Sequence, residues 1–102
     1  MGLRGKQTRY LRGLGNRLKP VVTVGKSGVT ESTVASVQAA LEDHELIKVR
    51  LLDSVEGDRK AIGPELAERA GAELVQVLGR TVLLFRPWPE SPERGPSIVL
   101  PD

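Results

Sequence analysis

The sequence predicts an α/β (α+β) two-layer sandwich in which helices cover a four-stranded mixed sheet. Three observations predict this fold. The periodic apolar stretches follow the order α-β-α-β-α-β-β, two of the helices connect consecutive strands, and only Gly79-Arg80 separates the last two strands. Strand–helix–strand connections favour parallel pairing with right-handed crossovers, whereas a two-residue connection favours an antiparallel hairpin. Both crossover helices are therefore expected on one face of the sheet.

The amino-acid totals limit the class of protein. The chain has 102 residues, with 15 Lys and Arg, 13 Asp and Glu, one His and no Cys. We expect one domain, and the absence of Cys excludes disulfides and Cys-based metal sites. No apolar run approaches the roughly 20 residues of a membrane-spanning helix. These features fit a reducing compartment, so we expect a cytoplasmic protein, and we also expect a monomer without a cofactor.

The first helix is predicted over residues 5–18, ahead of Pro20. Its apolar side carries Leu11, Leu14 and Leu18 at helical spacing. The first 30 residues contain seven basic residues and no acidic one, and the helix gathers most of them on its other side. A basic segment joined to an acidic remainder indicates a polyanionic partner; a solvated helix face is the alternative. The basic residues of the helix and its end are Lys6, Arg9, Arg12, Arg17 and Lys19.

A short strand over residues 21–24 leads into the loop Gly25-Lys26-Ser27-Gly28, and Thr30 is the expected N-cap of a second helix over residues 30–43. Glycine permits positive φ angles and close approach by another backbone. Successive N–H groups in such a loop can form an anion-binding nest, and the following helix N-terminus adds partial positive charge. We therefore interpret the loop as a phosphate contact, with a tight turn and a solvated Lys26 as the alternative.

The remaining strands are predicted over residues 46–52, 73–78 and 81–86. In the first of these, cations alternate with apolar residues, which places Lys48 and Arg50 on the face away from the crossover helices, together with Arg86. Cations on an exposed sheet face are either solvated or in contact with a polyanion. Arg80 in the hairpin is likewise either a contact or only a turn residue.

Two features are expected to reduce helix regularity. Gly13 and Gly15 each weaken the first helix by roughly 1 kcal/mol relative to Ala. Gly63-Pro64 interrupts the third helix, which is predicted over residues 58–70, and proline in a helix interior removes a hydrogen bond and clashes with the preceding turn. A kink or two short helices are expected there.

Residues 88–102 differ in composition from the predicted domain, residues 1–87. Repeated prolines forbid regular structure, so an extended tail is expected. Within it, Ile98, Val99 and Leu100 are consecutive apolar residues. They are expected either to remain unstructured or to pack, on a neighbouring molecule or on their own sheet. The sheet positions considered for this packing are Leu74, Leu78 and Leu84.

Nothing in the sequence indicates catalysis. A Walker A loop has the form G-x-x-x-x-G-K-[ST], but its first glycine would fall at Pro20. Ser27 has no partner that would activate it as a nucleophile. His44 is the only histidine, so it cannot form a metal site with others, and we interpret it as a residue at a helix C-terminus.

Several motifs occur in order between residues 3 and 87. They are Gly5-Lys6-Gln7, Leu18-Lys19-Pro20, Val24-Gly25-Lys26-Ser27-Gly28, the segment 40–49 and the segment 79–87. In this order they resemble the CRM (chloroplast RNA splicing and ribosome maturation) domain family, in particular its stand-alone bacterial YhbY-like members.

The resemblance implies an RNA-binding domain whose fold is similar to the C-terminal domain of bacterial translation initiation factor three. Bacterial members associate with precursors of the large ribosomal subunit. The resemblance places the family's G-x-x-G loop at Gly25 to Gly28 and its basic first helix at Lys6 to Lys19. Aromatic residues make up only 3% of the chain, which favours shape and backbone readout of structured RNA over stacking on single strands.

We therefore expect a non-enzymatic ribosome assembly factor that contacts large-subunit precursor rRNA. The alternative is a protein-interaction adaptor that uses the acidic remainder and the Pro-rich tail. The expected RNA-binding residues are Gly25, Lys26, Ser27, Gly28, Lys6, Arg9, Arg12, Arg17, Lys19, Lys48, Arg50 and Arg80.

Overall fold

A computed structural model describes residues 3–55, 57–88 and 98–101. The elements are α1 (Gly5–Gly15), β1 (Pro20–Val24), α2 (Glu31–Asp43), β2 (Leu46–Leu51), α3 (Arg59–Ala70), β3 (Glu73–Leu78) and β4 (Thr81–Phe85). The predicted order of helices and strands is confirmed. The largest difference in bounds is at α1, which ends at Gly15 and is followed by a turn at residues 16–17.

The four strands form one mixed sheet in the order β1-β2-β4-β3. β1 and β2 are parallel, as predicted, and β4 is antiparallel to both of its neighbours. The expected parallel pairing of β2 with β3 is wrong, because β4 lies between them. The physical reason is the composition of β4. Val82 to Phe85 are all buried, and a strand that is apolar on both sides is best placed in the sheet interior.

One face of the sheet is covered by α2 and α3, which pack against each other. The expectation that both crossover helices share a face is confirmed. Their side chains and every second residue of β1, β2 and β4 form the main core, since side chains alternate between the two faces of a strand. This core contains Val24, Val37, Leu41, Ile47, Val49, Leu51, Leu66, Val82 and Leu84, among others.

The opposite face is covered in part by α1, which adds a layer that the two-layer prediction did not include. Leu11 packs with Leu46, Leu83 and Phe85 in a second apolar cluster. The alternation of β4 explains this layer. With Val82 and Leu84 facing α2 and α3, its remaining apolar side chains face the other way and need a cover of their own.

The third helix is a single element that contains Pro64 rather than two short helices. Asp58 caps its start by accepting a hydrogen bond from the backbone N–H of Lys60 (2.9 Å). Gly63 is buried against β3, where a Cβ would stand 2.8 Å from Val77 Cγ2. The glycine that was expected to interrupt the helix therefore allows it to approach the sheet.

The described part of the tail packs on its own domain. Ile98 and Leu100 join the α1 cluster, whereas Val99 is 80% exposed. The suggested positions Leu74, Leu78 and Leu84 are wrong: Leu84 lies in the core on the other face of the sheet, Leu74 packs against that core, and Leu78 is 62% exposed. The predicted extended course of residues 89–97 lies outside the described residues. Among the described helices, none is long and apolar enough to cross a membrane.

Candidate nucleic-acid interface

The loop between β1 and α2 is a compact turn at one end of the sheet. The N–H of Gly28 donates to the carbonyl of Gly25 (3.0 Å), and Gly28 has a φ of +70°. Lys26 and Ser27, at the tip of the turn, are exposed. A left-handed residue at this position is the conformation for which glycine is preferred. The loop therefore presents one cation and one hydroxyl to solvent in front of the N-terminus of α2.

Two threonines fix the loop to the start of α2. Thr30 Oγ1 accepts a hydrogen bond from the backbone N–H of Thr33 (3.1 Å), which confirms the predicted N-cap. Thr33 Oγ1 donates to the carbonyl of Gly28 (3.3 Å) and lies 3.1 Å from Thr30 Oγ1. Because the cap and the loop share these hydroxyls, the loop backbone is held in a defined position relative to the positive end of the helix dipole.

The hairpin at Arg80 lies at the same end of the sheet as the loop. Val24, the last residue before the loop, pairs with Leu51, and the N–H of Leu51 donates to the carbonyl of Arg80 (2.7 Å). The guanidinium of Arg80 forms an ion pair with Asp53. Arg80 is thus close to the loop, but part of its charge is already balanced by an acidic neighbour that the sequence pattern did not suggest.

An open strip of sheet lies between this end and α1. Arg50 pairs with Thr23 on one side and with Thr81 on the other, and Lys48 pairs with Leu83, which lies beneath α1. Arg50 is exposed and Lys48 is half-buried. Both are on the face away from α2 and α3, as predicted. Arg86 is on the other side, where it forms an ion pair with Glu42 of α2 (2.8 Å).

The helix α1, which covers part of this sheet face, and the connection that follows it carry exposed basic residues. Lys6, Arg9 and Arg12 are exposed on α1, while Arg17 and Lys19 are exposed in the connection to β1 rather than on the helix itself. The strip is short. With a rise of about 3.3 Å per residue, the two ends of the six-residue strand β2 are roughly 17 Å apart. Exposed cations of α1 and β2 therefore lie on the side of the sheet away from α2 and α3, and Lys26 lies at the tip of the loop at one end of the sheet.

Sequence reasoning missed two residues that support this surface. Arg69 of α3 donates to the carbonyl of Val29, directly after the loop (3.1 Å), and also pairs with Glu65 (3.4 Å). Glu45 is buried and accepts hydrogen bonds from the C-terminal segment. Neither contact has a sequence signal, since the partners are 40 and 53 residues apart. His44 is the exposed C-cap residue of α2, which agrees with its interpretation as a helix-terminal residue.

The exposed cations suit binding of a polyanion. Comparison with known proteins identifies a family and relatives whose names refer to RNA binding. Residues 3–86 match the family described as the CRS1 / YhbY (CRM) domain. The chain is 39% identical over 90 residues to "Probable RNA-binding protein PA4753" of Pseudomonas aeruginosa, covering 88% of this chain and 86% of that one. It is 38% identical over 84 residues to "Probable RNA-binding protein YqeI" of Bacillus subtilis, covering 82% and 88%.

A solved structure shares the fold. The solution structure of the protein SAV1595 from Staphylococcus aureus superimposes with a TM-score of 0.79 at 38% sequence identity. The match covers 97% of this chain and 99% of that chain.

Proposed function

This chain belongs to the CRS1/YhbY (CRM) domain family, and we propose from this membership that it is an RNA-binding protein. The names of the relatives from Pseudomonas aeruginosa and Bacillus subtilis support RNA as the polyanion. The observation that carries the proposal is the exposed Lys26 at the tip of a glycine turn before the N-terminus of α2, together with exposed cations of β2 and α1 on the side of the sheet away from α2 and α3. A surface of this kind neutralises successive phosphates of a nucleic-acid backbone.

The loop provides the positioning contact. A phosphate in front of the loop tip would meet the positive end of the α2 dipole and the ammonium group of Lys26. The absence of a Cβ at the glycines leaves room for close approach of an RNA backbone, since no atom lies within 4 Å of the Cβ position at Gly25 or Gly28. Contacts of this type fix the orientation of the RNA without reading its sequence.

The α1 cations extend the contact. Lys6, Arg9 and Arg12 would bind phosphates beyond those held by the loop, and Arg17, Lys19, Lys48 and Arg50 would add further contacts to the RNA backbone. Arg80 contributes through its guanidinium to the extent that Asp53 leaves it available. Aromatic side chains are few, so structured RNA read by shape and backbone is the proposed ligand.

Beyond RNA binding itself, we propose a biological role for the protein. The family resemblance supports association with precursor rRNA of the large ribosomal subunit, in the cytoplasm, by a monomer acting as a non-enzymatic assembly factor. The expected partner is therefore a structured segment of large-subunit rRNA. A protein-interaction adaptor is the competing function, and its binding would not depend on the loop and α1 cations.

The test is binding to a structured large-subunit rRNA fragment across a salt series. We expect Lys26→Ala to weaken binding roughly tenfold, which corresponds to the loss of one hydrogen bond to a charged group. The combined change of Arg9 and Arg12 to Ala should weaken it further. Each lost phosphate contact should also lower the log–log salt slope by about 0.7 to 0.9.

Lys60→Ala is the matched control, because it removes one exposed cation from α3, in the helix layer on the other face of the sheet. Its affinity and salt slope should equal those of the unaltered protein. If the Lys26 and α1 variants also bind as the unaltered protein does, the RNA surface lies elsewhere and this assignment is wrong. Crosslinking in cells, followed by sequencing of the bound RNA, tests the assignment to large-subunit precursors.

A further inference from the structure

The carboxylate of Glu45 connects two separate parts of the C-terminal segment. Glu45 is only 5% exposed. Its Oε2 accepts the backbone N–H of Trp88 (3.0 Å) and its Oε1 accepts the backbone N–H of Ile98 (2.7 Å). Both carboxylate oxygens are therefore used by the tail. Hydrogen bonds to an ionised acceptor are stronger than those between neutral groups, so this buried carboxylate is a specific attachment point.

Trp88 gives the attachment a fixed side-chain contact as well. Its indole Nε1–H donates to the carbonyl of Leu41, near the end of α2 (3.0 Å). The neighbouring N–H of Arg86 donates to the carbonyl of Glu45 (2.8 Å). The chain leaving β4, including Trp88 at the start of the tail, is thus bound to α2 and to Glu45.

The described end of the tail then packs against α1. Ile98 and Leu100 belong to the apolar cluster built from Leu11, Leu46, Val75, Leu83 and Phe85, which Leu3, Leu14 and Leu18 also join. The carbonyl of Pro101 accepts a hydrogen bond from the side-chain amide of Gln7 (3.3 Å). Gln7 also accepts the backbone N–H of Arg4 (3.0 Å) and so closes the first turn of α1. The tail contacts α1 both through the cluster and at its start.

α1 is a helix that needs such support. It contains Gly13 and Gly15, has no acidic residue in its first turn, and buries only Leu11 and Gly15 completely. A helix of 11 residues is shorter than the roughly 12 to 15 residues at which even good helix formers become stable alone. Its order and position therefore depend on packing, and Ile98 and Leu100 supply part of that packing.

We propose that Glu45, Ile98 and Leu100 are positioning residues for RNA binding: they dock the tail, and the docked tail holds the basic helix α1 against the sheet. The inference rests on the proposed function, because it gives the tail a role in RNA affinity through the cations of α1. Loss of the tail contacts would loosen α1 and disperse Lys6, Arg9 and Arg12, while the loop at Lys26 would keep its own geometry.

The central experiment compares Ile98→Asp with Val99→Asp. The two changes add the same charge at adjacent positions, but Ile98 is packed on α1 and Val99 is 80% exposed. Ile98→Asp should lower affinity for the rRNA fragment and reduce the salt slope to that of the variant in which Arg9 and Arg12 are Ala. Val99→Asp should change neither quantity beyond the effect of its charge. Glu45→Gln, which replaces one acceptor oxygen by an amide donor, should act in the same direction as Ile98→Asp.

A double-mutant cycle separates positioning from general destabilisation. Ile98→Asp combined with the Arg9 and Arg12 changes should give less than the sum of the separate losses, because both act through α1. Combined with Lys26→Ala it should be additive. Hydrogen exchange provides a second readout: amides of α1 should lose protection in Ile98→Asp, whereas those of α2 between Val34 and Leu41 should not.

The outcomes can be distinguished from a failure of the proposed function. If the unaltered protein binds RNA and Ile98→Asp binds equally well with the same slope, the positioning role is wrong and RNA binding stands. If Ile98→Asp exposes α2 as much as α1 to exchange, the tail supports the whole domain and the specific link to α1 is wrong. If the unaltered protein shows no salt-dependent RNA binding, the proposed function is wrong, and the positioning role inferred from it is wrong as well.

Discussion

Gly15 of α1 lies directly on the side chain of Leu83 of β4, in a space that a Cβ atom would overlap. A Cβ on Gly15 would stand 2.5 Å from Leu83 Cδ2 and 2.9 Å from Cδ1. Leu83 is buried, so its side chain has little freedom to move away. The missing side chain of Gly15 therefore sets the distance between α1 and the sheet, and with it the position of the basic helix.

The two glycines of α1 should respond in opposite ways to alanine. Gly13→Ala should raise the free energy of unfolding by roughly 1 kcal/mol, the usual gain in helix propensity, because no atom lies within 4 Å of the Cβ position. Gly15→Ala should lower the free energy of unfolding, since overpacking typically costs about 1 to 3 kcal/mol. Urea denaturation of both variants measures the difference. Equal stabilisation by both changes would show that α1 does not pack on Leu83 as described.

This pair illustrates what the sequence could predict. Apolar periodicity and capping residues are local signals, so the elements and the N-cap Thr30 were predicted correctly. From the sequence, Gly15 was expected only to weaken the helix. Its close packing on Leu83, which lies 68 positions later in the chain, has no local sequence signal. The position of β4 was missed for a related reason. Chain order favoured pairing of β2 with β3, whereas burial of both faces of β4 placed that strand between them.

In the candidate site, too, the features with local sequence signals were predicted and the contacts between distant residues were not. The loop from Gly25 to Gly28 was visible in the sequence, since glycine, a cation and a helix N-cap occur within a few residues. The ion pair of Arg80 with Asp53 and the tail contacts of Glu45 were not. They depend on which loops meet at an end of the sheet, which follows from strand order rather than from local pattern.

The glycines of the loop should differ in their effects on folding and on RNA binding. Gly28 has a φ of +70°, so Gly28→Ala should cost about 1 to 2 kcal/mol of stability. Gly25 is not among the residues with positive φ, and Gly25→Ala should leave the free energy of unfolding within about 0.5 kcal/mol. If RNA approaches the loop backbone closely, both variants should bind more weakly. Normal RNA binding by a folded Gly25→Ala protein would mean that no close approach occurs there.

Arg80 should become a better RNA ligand when Asp53 is neutralised. Both side chains are largely exposed, so Asp53→Asn should change stability by no more than about 1 kcal/mol. It should increase RNA affinity, because Arg80 is released and a negative charge next to the loop is removed. Glu42→Gln is the control: it removes the same charge and also breaks an arginine ion pair, but on the α2 side of the domain. An equal gain in both variants would indicate a general effect of net charge instead.

Removing the hydroxyl group of Thr33 should disturb the position of the Gly25–Gly28 loop more than the stability of α2. Thr33→Val keeps a similar shape but removes the donor to the carbonyl of Gly28, while the backbone N–H that bonds to Thr30 remains. Thr30→Ala removes the cap itself. We expect Thr30→Ala to cost about 1 kcal/mol of stability, and Thr33→Val to cost about 0.5 to 1.5 kcal/mol, the net value of one hydrogen bond.

The RNA measurements distinguish the two roles. If the hydroxyl of Thr33 keeps the loop aligned with the N-terminus of α2, Thr33→Val should weaken binding even under conditions where the domain is fully folded. The loss should be non-additive with Lys26→Ala, because a displaced loop no longer presents its lysine to the phosphate. Ser32→Ala is the control for a hydroxyl removed from the exposed side of the same helical turn. Wild-type affinity in Thr33→Val, with a full further loss on adding Lys26→Ala, would show that Lys26 binds RNA independently of the loop geometry.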